Sequence, residues 1–169
     1  MKADNVIVFP DGLAGEGSVG GADVVLIDYE RAKELQRLDY QLKGNAAGDE
    51  ALMCRRMGQD KSWGVDSDLH GLCTVAFVLL FGKDEKEMVE ANADGTSRLN
   101  RVYTIRRYWT SSGLLTSLFG TFLNFDPIED DYDDVVVVLR DKFDAYVREN
   151  NNEVEEALTA FRSALSNKS

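Results

Sequence analysis

The chain has 169 residues, 44% of them hydrophobic, and 30 acidic against 19 basic side chains give it a formal net charge of −11. That length makes one domain or a large piece of one, able to bury about 70% of its unfolded surface in a core. The acidity argues against a nucleic-acid surface or an anionic membrane as principal partner, and no run of 18 apolar residues is present to span a bilayer.

Lys2 and Asp4 stand in the first nine residues and a glycine-rich stretch follows at once, which is not the pattern of a signal peptide. The apolar runs Asn5 to Phe9 and Asp23 to Ile27 predict two short strands. Paired antiparallel, they bring the start of the first beside the end of the second. Between them, Pro10 to Ala22 holds five glycines. Its Gly15-Glu16-Gly17-Ser18-Val19-Gly20 matches a nucleotide-loop spacing, but such a loop needs a helix after it, so a flexible hairpin tip is the better reading.

Residues 29 to 62 are polar and weakly periodic, and predict an irregular segment with one helical turn near Asp49 to Arg56. No Ser or Thr lies between Asp28 and Ser62, which removes Ser/Thr phosphorylation as a control within it. The run Leu69 to Phe81 is apolar on nearly every face, opens after Asp68 and stops at Gly82, which favours a buried central helix over a buried strand. It contains Cys73 and the one histidine, His70. With Cys54 the only other cysteine and no Cys-x-x-Cys pairing, neither a disulfide framework nor a zinc site is indicated, and a reducing cytosolic or nuclear setting is expected. His70, on an apolar face, reads as a core histidine.

Lys83 to Ser97 reads as a polar connector. Beyond it, Leu115, Leu118, Phe119 and Phe122 fall at helical spacing with Ser111 or Ser112 as cap, and Leu139, Phe143 and Tyr146 continue a face begun by the valines at 135 to 138. After Asn150-Asn151-Asn152, the residues Val154, Ala157, Leu158, Phe161 and Leu165 form a last amphipathic face. The acidic cluster Asp126, Glu129, Asp130, Asp131, Asp133 and Asp134 lacks the glycine and closing Glu of a calcium loop, so it reads as acids placed before a helix N-terminus. The fold class expected is mainly α, with a small β-hairpin at the N-terminus.

Several stretches, taken in order, resemble protein kinases, and among these the spindle-checkpoint kinases of the Bub family. They are Lys2-Ala3-Asp4-Asn5, Ile27-Asp28-Tyr29-Glu30, the block Ser62 to Cys73 with Leu80-Phe81-Gly82, Trp109 with Leu114 to Phe125, Val138 to Phe143, and Glu156 to Leu165. The resemblance implies the helical C-terminal lobe of a kinase-like fold: the catalytic-loop end and hairpin over 1–27, the activation segment over 28–62, and the helical lobe over 63–169. It implies transfer of the γ-phosphoryl of ATP to protein Ser or Thr, with ATP and Mg²⁺ as cofactors. Lys2 would neutralise charge at the transferred phosphate. Asn5 and Asp28 would hold Mg²⁺, an amide oxygen and a carboxylate being the hard ligands that ion takes. Asp68 would accept hydrogen bonds from the catalytic-loop backbone, where without the surrounding block it would read as an N-cap. The partners implied are a protein substrate and checkpoint proteins, in the nucleus at kinetochores or in the cytoplasm.

Departures from the kinase pattern point to an alternative, a pseudokinase or helical interaction module that scaffolds at the kinetochore. Glu30 replaces the glycine of Asp-Phe-Gly, which removes a backbone hinge and lowers the expected activity. Arg56 stands where a kinase carries the Glu that pairs with a later Arg, so that usual ion pair is not expected. Ala3 replaces a common proline. The elements a kinase uses before Lys2, the catalytic Asp included, are not encoded, so Met1 is expected to be an internal methionine of a longer protein. Leu72, Val75 and Leu79 would then lack the helix that covers them, leaving an apolar patch and a tendency to self-associate.

Overall fold

The computed structural model describes residues 6–9, 23–27, 42, 53–106 and 111–166. The chain divides into two compact units, one holding residues 32–140 and the other 4–31 and 141–169, with 1–3 assigned to the first.

The core of the first unit is built on α2, Asp66–Phe81. Asp66 and Asp68 lie in its first turn, where carboxylates favour the positive end of the helix dipole. Gly82 ends it with φ 61°, a left-handed conformation that glycine adopts without a Cβ clash, and its N–H donates to Val78 O at 2.8 Å. Leu69, Cys73 and Phe77, four residues apart, form a fully buried stripe. Against them pack Met88, Phe119, Phe122, Leu123, Phe125 and Leu139. Phe77 also meets the Tyr103 ring edge-on at 4.9 Å between centroids. The other side of α2 is open, as expected of Leu72 and Leu79: Leu72 is 41% exposed and Leu79 76%, while Val75 is half-buried. An all-apolar helix is here buried on one face only.

The stretch read as a polar connector carries structure. A single 3₁₀ turn, Glu85–Glu87, is capped by Asp84, whose carboxylate accepts from Lys86 N. It leads to fully buried Met88 and an antiparallel hairpin of β3, Val89–Ala91, and β4, Ser97–Leu99. Gly95, at φ 80°, makes the turn between these strands. Asn124 then holds the free edge of β4: its side-chain oxygen accepts from Ser97 N, and its amide donates to Ser97 O, both at 2.8 Å. One side chain thus supplies both bonds of a missing strand.

α3, Ser112–Phe122, buries Phe119 and Phe122 on the predicted face. Ser111 occupies the N-cap position but makes no side-chain capping bond. α4, Tyr132–Glu149, is capped by Asp131, whose Oδ1 accepts from Asp133 N and Asp134 N. The reading of acids placed before a helix therefore holds for Asp131, Asp133 and Asp134. Leu139 is the buried residue of this helix, and its course crosses from the first unit to the second after Arg140.

In the second unit, β1, Val6–Phe9, pairs antiparallel with β2, Asp23–Leu26, with Val6 opposite Leu26 and Phe9 opposite Asp23. α5, Asn151–Ser166, begins at Asn151 rather than after Asn152, because Asn150 O already accepts from Val154 N. No helix among the described residues is long and apolar enough to cross a membrane.

Candidate functional site at the N-terminus of α2

A turn from Cys54 to Asp68 brings the charged and polar groups of the kinase-like block together. It starts with α1, the single turn Arg55–Gly58, which overlaps the turn expected near Asp49 to Arg56 only at Arg55 and Arg56. The isolated bridge of Trp63 to Leu42, with Trp63 N donating to Leu42 O at 3.0 Å, anchors the next part. Asp66 is only 4% exposed, and both its oxygens are used: Oδ1 accepts from Gly64 N at 2.6 Å and Oδ2 from Cys54 Sγ at 2.9 Å. Burial, and next the Asp66 hydrogen bond, push the Cys54 thiol up to about 12, while burial raises Cys73 further. Both thiols are free and stay protonated at neutral pH, so neither is a ready nucleophile or metal ligand.

Arg56 is 4% exposed, which a guanidinium tolerates only when paired. Its Nη1 donates to Asp126 Oδ1 at 2.8 Å, across 70 residues of sequence, and its Nε donates to Ser62 O at 2.7 Å. Arg55 reaches the other Asp126 oxygen at 3.5 Å. Arg56 thus forms a buried ion pair with a carboxylate far later in the chain. Asp126 leaves the helix-dipole cluster to which its sequence neighbours assigned it. Its carboxylate instead accepts from Arg56 and from Ile128 N.

Asp68 lies two residues inside α2 and is exposed, whereas Asp66 is the buried acid at the helix start. Desolvation by neighbouring protein raises the Asp68 carboxyl above its ordinary value, and the nearby Asp66 charge adds to the rise. As an N-cap it fails, since the helix has already begun. His70 is buried, as expected of a core histidine.

Lys2, Asn5, Asp28 and Glu30 lie outside the described residues. What is described is the ribbon between the two motifs: Val6, next in sequence to Asn5, faces Leu26, two residues before Asp28. Among the described residues no group of three His, Cys, Asp or Glu side chains is placed to hold a metal ion. Sequence reasoning missed the roles of Asp66, Asp126 and Asn124. The short run Asn124-Phe125-Asp126-Pro127 after the α3 apolar face was the available signal, a polar pair flanking a buried ring.

No protein-family model matches the chain. The chain is 30% identical over 139 residues to the spindle assembly checkpoint serine/threonine-protein kinase bub1 of Schizosaccharomyces pombe; the match covers 73% of this chain and 13% of that protein. Its fold matches the crystal structure of the BubR1 kinase domain with a TM-score of 0.58 and 20% identity, over 85% of this chain and 42% of that one. The chain thus spans a small part of the yeast relative and less than half of the kinase domain, and the fold it covers is that of a kinase-like C-lobe.

Proposed function

Since the chain is a Bub-family, kinase-like segment, we propose that it forms the C-lobe of a mitotic-checkpoint Ser/Thr protein kinase that, in the full-length protein, transfers the γ-phosphoryl of ATP to protein Ser or Thr. The observation that carries this reading is the β1–β2 register, in which the chain enters and leaves the ribbon at one end. Asn5 and Asp28 are the residues that flank that end in sequence. Together they would hold Mg²⁺, which supplies charge neutralisation at the phosphates. Lys2 would add a positive charge at the transferred group. Asp68, at the head of the central helix, would accept hydrogen bonds from the catalytic-loop backbone. The partners of this reading are ATP, a protein substrate and checkpoint proteins, and its location is the nucleus at kinetochores or the cytoplasm.

A second reading, a pseudokinase or helical module that scaffolds at the kinetochore, is favoured by Glu30 in place of the hinge glycine. Nucleotide binding by the full-length protein separates the two. On the kinase reading, ATP binds in a Mg²⁺-dependent way, and Asp28→Ala weakens that binding at least about tenfold. Absence of Mg²⁺-ATP binding, or binding indifferent to Asp28→Ala, supports the module.

A further inference from the structure

We propose that Asp126 is a positioning residue: through the Arg56 guanidinium it fixes the Cys54–Gly64 turn, so that this turn is held by a permanent ion pair. The functional weight of the turn, as the end of the activation segment, rests on the kinase reading above. The clamp itself rests on geometry.

Three observations converge on it. Arg56 uses two prongs of its planar fork, one on Asp126 and one on Ser62 O, so a single side chain ties both ends of the 56–62 loop to the chain beyond α3. The same loop closes on itself through Lys61 N to Arg56 O at 2.9 Å and Asp60 N to Met57 O at 3.0 Å. Within it, Asp60 takes φ 54°, a left-handed turn conformation that closes the loop and that Asp reaches more readily than most other non-glycine residues.

Asp126 is in turn braced, with its own N–H donating to Asp130 Oδ2 at 2.8 Å and its carboxylate accepting from Ile128 N at 3.0 Å. It is a fixed post. The sequence gives the arrangement its meaning: no Ser or Thr lies between Asp28 and Ser62, so no added Ser/Thr phosphate there could recruit the arginines. A built-in carboxylate takes that place.

Amide hydrogen exchange on this chain tests the clamp, and needs neither nucleotide nor phosphotransfer. The reporters are the N–H groups of Gly58, Gln59, Asp60 and Lys61, all hydrogen-bonded within the turn; the internal reference is α2 around Cys73 and Phe77. Asp126→Asn is expected to speed exchange at the reporters roughly 100-fold while the α2 amides keep their protection. Arg56→Lys keeps the charge but gives up the fork, and is expected to loosen the same amides to a smaller extent. The exchanged pair R56D/D126R is expected to recover part of the protection that D126R loses. Unchanged reporter exchange in both single variants, equal loss throughout α2, or no recovery in the exchanged pair would overturn the proposal. Loss of Mg²⁺-ATP binding would overturn the kinase reading and leave the clamp standing.

Discussion

Asp60 holds a left-handed backbone with φ 54° in a loop pinned on both sides. Glycine reaches that conformation without the Cβ clash, and relief of the clash competes with the greater entropy of an unfolded glycine. In a helix-terminal turn of this kind the strain relief is the larger effect, so Asp60→Gly is expected to stabilise the chain by about 0.5–1 kcal/mol, read as a higher urea midpoint with an unchanged slope. A lower midpoint would mean that the Asp60 side chain contributes more than its backbone costs. At this scale the sequence was partly legible. Arg56 announced itself as a departure from the kinase pattern, but its partner lies 70 residues on, and a contact of that span leaves no local pattern. Asp126 was masked further by five acidic neighbours that share one explanation, acids placed at a helix N-terminus, which holds for Asp131, Asp133 and Asp134 but leaves out the bond Asp126 makes to Arg56. Asp66 was passed over because Asp68, two residues on, stands directly before the apolar run; burial and the bonds from Gly64 N and Cys54 Sγ single out Asp66.

Among the elements, α2 separates what a sequence pattern can and cannot say. Its composition is apolar all round, and the glycine that stops it is visible in the letters, so its existence was legible, although it begins at Asp66 and not after Asp68. Which face is buried depends on what packs against it: Phe77 is fully buried against Met88, Phe119 and Tyr103, and Leu79, two residues later, points to solvent. Phe77→Ala is expected to cost about 3–5 kcal/mol, the loss of a buried ring and the cavity it leaves. Leu79→Gln is expected to shift stability by no more than about 0.5 kcal/mol. Urea unfolding of the two variants checks this, and a large loss for L79Q would show that the exposed side of α2 is covered in solution. The β3–β4 hairpin was missed for a different reason. Strands of three residues, Val-Glu-Ala and Ser-Arg-Leu, are too short to display a two-residue period. Asp94-Gly95 was a turn signal in plain view. What makes the hairpin stay is nonlocal: Met88 in the core and Asn124 on the strand edge.

For the whole molecule, the order of elements carries more than any one of them. A short antiparallel ribbon, a buried-acid turn, a central helix stopped by glycine, and helices after it match a kinase-like C-lobe, and the Bub-family kinship rests on both sequence and fold. The fold class was legible because long helices display their period and a glycine cap marks an end. The proposed chemistry rests on motif alone, in Lys2, Asn5 and Asp28, since metal binding depends on where two oxygens meet and not on which letters are present. The central claim is that the carboxylate of Asp28 is needed for phosphoryl transfer. It is tested most directly by the initial rate of transfer from ATP to a protein Ser/Thr substrate, measured for the full-length protein with and without Asp28→Ala. The account predicts measurable transfer by the unaltered protein and a fall of roughly 100-fold or more in the variant; equal rates for the two, or no transfer by either, would contradict it.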